Sequence, residues 1–121
     1  MFNLAIPVLY VRSAAAAEEF YCGQLGFRRD FAYRVDYAWA DPCYMGVTRD
    51  GVELHLSSFP WDAVAGGAVF LLVKDAEALH AEVVAKGVAI RLPPTDQSWG
   101  NREMYVSDPD GNSIRFVHGN G

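Results

Sequence analysis

A chain of 121 residues is long enough for one domain with a buried core, and half of it is hydrophobic while a fifth is charged, which excludes a disordered chain. A net charge of −5 without a Lys/Arg cluster argues against nucleic acid, and no apolar run approaches the roughly 20 residues that span a bilayer. Met1-Phe2-Asn3 opens without the basic segment of a secretory leader, so the expected location is the cytoplasm, with Cys22 and Cys43 as two reduced thiols.

In chain order, the first apolar strand ends in Leu9-Tyr10-Val11-Arg12-Ser13, and the same pattern returns 62 positions later as Leu71-Leu72-Val73-Lys74-Asp75. Ser13 and Asp75 are each placed to accept from the free amides of a following helix. The first helix is expected from about Ala14 to Gln24, burying Ala17, Phe20, Tyr21 and Leu25 and ending near Gly26. Strands follow at Phe27 to Val35, Cys43 to Thr48 and Val52 to Ser57, with Arg49-Asp50-Gly51 as a tight hairpin. Phe59 to Gly67 reads as a linker.

The second helix is expected from about Ala76 to Lys86, with Leu79, Val83 and Val84 as its apolar stripe and Gly87 at its end. Ala89 to Arg91, Arg102 to Ser107 and Ser113 to Val117 complete the second set of strands. Pro93 to Gly100 reads as a loop, and Asp108-Pro109-Asp110-Gly111-Asn112 as a turn. The whole is an α+β domain of two β-α-β-β-β modules, one over about 1–58 and one over about 68–121. In each module a helix covers one face of the sheet. The other face must meet a partner or line a cavity, and a homodimer with a shared cleft satisfies both.

Phe20-Tyr21, Leu25-Gly26-Phe27, Gly51-Val52-Glu53-Leu54, Trp99-Gly100-Asn101-Arg102-Glu103 and Asp108-Pro109-Asp110-Gly111-Asn112 together resemble the superfamily of glyoxalases, bleomycin-resistance proteins and extradiol dioxygenases. These markers span almost the whole chain, and the Trp-Gly-x-Arg-Glu segment looks most like the bleomycin-resistance branch. The resemblance implies curved sheets around a concave site and dimers that often exchange modules. It also implies that metal-dependent relatives carry ligands at the positions of Ile6, Glu53, Ala68 and Arg115. Here three of those four residues are apolar or cationic. Glu53 and His55, two apart on one strand, make a poor metal site by themselves, and His80 and His118 are expected to lie too far away to complete it. No metal and no other cofactor is expected. Glu53 and Arg115 are instead expected to pair across the cleft floor, with Glu103 nearby, either as a polar anchor that orients a guest or as a structural salt bridge that closes a site no longer in use.

On the concave face, Leu4, Val8 and Tyr10 are expected beside Ile6, Phe70 and Leu72 beside Ala68, and Tyr105 beside Glu103. Such a face suits flat organic molecules. Trp39, Trp61 and Trp99 lie in loops or loop edges, together with Tyr37, Tyr44 and Phe59, and each indole either stacks on a guest or plugs its own loop onto the domain or into a dimer contact. Asp36, Asp41 and Asp62 flank these rings, where they either attract a cation or serve as solvated loop residues. The candidate ligand-binding set is therefore Trp99, Glu53, His55, Arg115, Glu103, Tyr105, Trp39, Trp61, Phe59 and Phe70. The expected function is sequestration, without catalysis, of a cationic aromatic small molecule of the antibiotic type. Two other functions compete with it. One is a lyase, isomerase or dioxygenase using an unusual metal site at Glu53 and His55, or Glu103 or His55 as a metal-free base; the other is an interaction domain whose cleft is idle.

Overall fold

Ser13 and Asp75 begin the two helices as their chemistry requires: Ser13 Oγ accepts from the Ala16 amide at 3.2 Å, and Asp75 Oδ1 from the Ala78 amide at 3.0 Å. In the computed structural model, which describes residues 1–119, the elements run β1 (Val8–Tyr10), α1 (Ala14–Glu18), β2 (Arg28–Tyr33), β3 (Tyr44–Arg49) and β4 (Val52–Ser57). The second set is β5 (Ala68–Leu72), α2 (Ala76–Ala85), β6 (Ile90–Asp96), β7 (Asn101–Ser107) and β8 (Ser113–Gly119). A wider, π-helical turn over Glu19–Gln24 prolongs α1. The chain leaves each helix through a glycine at positive φ, Gly26 and Gly87, as expected.

Both sheets have the same plan. Their orders are β1-β4-β3-β2 and β5-β8-β7-β6, and in each the first and last strands of the module are parallel while the other pairs are antiparallel. Alternation along the strands sends Met45, Val47, Leu54 and Leu56 of the first sheet, and Met104, Val106, Ile114 and Phe116 of the second, into one continuous core. Ala17, Phe20, Tyr21 and Leu25 pack into that core, as the helical spacing predicts.

Four local expectations need correction. Val84 is 50% exposed, because α2 meets its sheet through Ala76, Leu79 and Val83, and the residue after Val83 is rotated about 100° outward. Pro93 and Pro94 belong to β6 and not to a loop. That strand is the edge of its sheet, where a missing N–H removes no ladder bond. Residues 1–7 precede β1 outside any strand, so Leu4 is exposed. Val35 lies past the end of β2.

The modules are fastened to each other by the turn between β7 and β8. Buried Asp108 accepts from the Tyr21 hydroxyl at 2.8 Å, from Asn112 Nδ2 at 2.8 Å and from two backbone amides of its own turn. Asn112 also donates to the Tyr10 carbonyl at 2.8 Å and accepts from the Gly67 amide at 2.8 Å, while Asp110 receives both the amide and the guanidinium of Arg12. Burial and the neighbouring Asp108 push the Tyr21 hydroxyl pKa far up, so it remains a donor. At the opposite junction the contact is an ion pair, with Arg49 holding both carboxylate oxygens of Glu82 at 2.6 and 2.9 Å. Among the described residues, no helix is long and apolar enough to cross a membrane.

Candidate functional site

The sheet faces turned away from the helices carry the expected site residues, in two groups. On the first sheet, register places Val8, His55, Gly46 and Phe31 in one row and Tyr10, Ser57, Tyr44 and Tyr33 in the next. The position of Phe31 comes from an irregularity in β2. Arg29 pairs with Val47 and Phe31 with Gly46, so Asp30 is extra and the alternation reverses there. Gly46 leaves room for the ring: a methyl group at that position would lie 2.2 Å from Phe31 Cε1. The ring then meets His55 edge-on at 5.5 Å and lies nearly parallel to Tyr44 at 6.3 Å.

His55 is the middle of a hydrogen-bonded chain. Its Nε2 is 2.6 Å from Glu53 Oε2 and its Nδ1 is 2.8 Å from the Tyr44 hydroxyl. With the Nε2–H tautomer, His55 donates to Glu53 and accepts from Tyr44. Burial pushes the Tyr44 pKa up, and Asp62 and Glu53 add to the shift, so the phenol keeps its proton to donate.

Beside this chain is a cavity of about 450 Å³ lined by Tyr33, Val35, Tyr44, Phe59, Trp61 and Asp62. Tyr33 and Phe59 are near parallel at 6.4 Å, and Phe59 meets Trp61 at 5.4 Å. Phe59 is buried, whereas Trp61 is 77% exposed. The Ser57 hydroxyl donates to Asp62 Oδ2 at 2.6 Å and holds that carboxylate at the edge of the rings.

On the second sheet, buried Glu103 accepts from Trp99 Nε1 at 2.7 Å and from the Tyr105 hydroxyl. The Tyr105 hydrogen bond is the main reason that the Glu103 carboxyl lies below its ordinary pKa, against the opposing effect of burial. The bond to Glu103 raises the Tyr105 pKa in turn. The Arg115 guanidinium sits over the Tyr105 ring at 4.7 Å, and Phe70 is its register partner on β5. Trp99 is pinned through its indole nitrogen yet 64% exposed.

The structure thus joins Glu53 with His55, Phe59 with Trp61, and Glu103 with Trp99, Tyr105 and Arg115. It does not bring Glu53 to Arg115. Among the described residues no ion pair links them, because each is engaged within its own sheet. Trp39 stands on the outer loop, its backbone amide bonded to the Asp36 carbonyl, and does not line the aromatic cavity. Phe31 and Tyr33 escape the sequence reading as site residues, whereas Tyr44, expected at a loop edge, opens β3. A strand alternating without interruption from Phe27 carries Phe31 into the core.

The positions of Ile6, Glu53, Ala68 and Arg115 do not fit a divalent metal, since only Glu53 offers a lone pair to a cation, and no group of three or more His, Cys, Asp or Glu residues gathers among the described residues. A larger cleft of about 610 Å³ opens beside α2, lined in part by Leu25, Phe27, Leu71, Leu79, Arg49 and Glu82. It contains none of the expected site residues, and its Arg49 and Glu82 already neutralise each other. The chemistry therefore favours the sheet faces over the larger space.

Comparison with known proteins agrees with this architecture. A bleomycin-binding protein from Streptomyces verticillus, solved with copper(II)-bleomycin, is 30% identical, with a TM-score of 0.76 and 98% of each chain covered. A glyoxalase/bleomycin resistance protein/dioxygenase superfamily member from Sphaerobacter thermophilus is 26% identical, with a TM-score of 0.78 and 98% of each chain covered. A bleomycin resistance determinant encoded on transposon Tn5 shares the fold at 21% identity, with a TM-score of 0.78 and 98% of each chain covered. No curated protein sequence matches. The family model described as "Glyoxalase superfamily protein" matches residues 1–121, and the chain belongs to that superfamily.

Proposed function

We propose that this protein binds and sequesters a flat, cationic small molecule of the antibiotic type, without catalysis, in clefts formed by a homodimer in the cytoplasm. The observation that carries the reading is the gathering of rings at the two sheet faces turned away from the helices: Tyr33 with Phe59 and Trp61 of the segment after β4 at one, Tyr105 and Phe70 with Trp99 of the loop before β7 at the other. Phe70 is 53% exposed and Leu72 76% exposed on β5, where among the five residues only Val69 is buried, so a second copy gains by covering them. The Streptomyces verticillus relative supports a ligand of the bleomycin kind. Binding would draw on burial of ring surface, at roughly 25 cal/mol per Å², against the cost of association.

Calorimetry with bleomycin and other flat cationic drugs, paired with light scattering, tests the reading. We expect a dimer that binds at least one of these drugs and returns it unaltered. A monomer that binds none of them overturns it.

The Tyr44–His55–Glu53 chain favours one second reading, a metal-free lyase or isomerase in which the Tyr44 oxygen takes a substrate proton as its own passes to His55 Nδ1, and Glu53 steadies the imidazolium. Mass spectrometry of the recovered ligand separates the two, since turnover changes the molecule and sequestration does not.

A further inference from the structure

From the cavity between β2, β3 and the segment after β4 we infer a cage for an alkylated ammonium group, which takes the charged end of the guest. This assignment rests on the binding role proposed above and deepens it by naming the chemical class of that end. Rings from three parts of the chain converge there: Tyr33 from β2, Tyr44 from β3, and Phe59 and Trp61 from the segment after β4. The Tyr33–Phe59–Trp61 sequence of contacts forms a curved wall, and Tyr33 and Trp61 remain exposed. Ring faces are electron-rich, and Asp62 adds a full negative charge at their edge. Both repel an anion and attract a cation.

The hydrogen bonding narrows the class further. The Tyr44 hydroxyl is committed to His55, and one oxygen of Asp62 is committed to Ser57. A primary ammonium or a guanidinium brings three or more N–H donors that need acceptors, and the lining offers few, the second Asp62 oxygen and the tyrosine oxygens, the rest being ring face and Val35. An ammonium whose hydrogens are replaced by methyl groups needs no acceptors; it needs rings and a nearby negative charge. About 450 Å³ holds such a head together with the first atoms of the chain attached to it.

Titration of the full chain with choline and benzyltrimethylammonium tests this, read by tryptophan fluorescence and by amide shifts of Trp61 and Asp62. The matched control is 3,3-dimethylbutanol, which has the shape of choline without its charge. We expect choline to bind about tenfold more tightly than the neutral isostere, as a partly exposed cation–π contact beside a carboxylate predicts. Asp62→Asn and Trp61→Ala should each weaken choline by about fivefold or more. Both residues are exposed, so the variants should fold. Equal binding of choline and the isostere, or unchanged affinity in both variants, overturns the cage. If a drug such as bleomycin binds and no alkylated ammonium does, the cage fails and the broader role survives. If choline binds at Trp61 and Asp62 but no drug binds, the broader role fails instead.

Discussion

The two modules share strand order and a repeat offset of 62 residues, yet they differ in both the face they leave open and the contact they make with each other. The first sheet presents rings around a carboxylate and a Tyr-His-Glu chain. The second presents a buried carboxylate capped by Trp99 and Tyr105, with an arginine above. At the junctions, the turn from Asp108 to Asn112 is plugged into the first module by buried hydrogen bonds, whereas the Arg49 hairpin reaches the second module through a half-exposed ion pair and leaves a cleft. A repeated fold keeps its core pattern and varies its turns and outward residues, and there the two halves acquire separate tasks.

The largest expected effect breaks this contrast at the junctions. Asp108→Ala removes the acceptor for Tyr21 and Asn112 in a buried setting and should cost about 3 kcal/mol or more of stability. Arg49→Ala, at the more open junction, should cost about 1 kcal/mol or less. Urea denaturation of both variants measures the difference, and equal losses would show that the junctions are equivalent.

Next comes Glu103. Its carboxyl lies below its ordinary pKa of 4.5 in the folded state, so its contribution is present above that pH and is lost as pH falls through the lower folded value. Glu103→Gln should therefore cost about 1–2 kcal/mol at pH 7 and remove part of the acid sensitivity below pH 4.5. Acid titration followed by circular dichroism would show the two curves converging. Trp99→Ala should cost about 1 kcal/mol of stability through the lost hydrogen bond to buried Glu103, while lowering drug affinity about tenfold by calorimetry, in line with an aromatic hot spot. The smallest effect is Gly46→Ala. The new methyl group would occupy the space of an exposed Phe31 ring, which can swing away, so stability should change by less than about 1 kcal/mol. The His55 ring protons should nevertheless shift in NMR spectra as the Phe31 ring leaves.

Much of this arrangement was legible in the sequence, because local chemistry fixes it. Ser13, Asp75, Gly26 and Gly87 mark helix ends, and the period of each strand separates Met104 and Val106 from Glu103 and Tyr105. The rest depends on non-local facts. One extra residue at Asp30 moves Phe31 to the other face, and nothing in the local pattern announces it. Pro93 and Pro94 suggest a loop until β6 is known to be an edge. The pairing of Glu53 with Arg115 rests on the ligand positions that the family resemblance implies. Within one chain, however, Glu53 meets His55 two positions along its strand and Arg115 meets its cross-strand neighbour Tyr105, and such neighbours require less ordering than a partner across a cleft.

The tether between Glu103 and the Trp99 indole has a kinetic consequence. A ring immobilised beforehand surrenders little rotational freedom when a guest arrives, so its benefit appears chiefly as a longer residence time. Cutting that tether should hasten departure far more than it slows arrival, even with the tryptophan itself left in place.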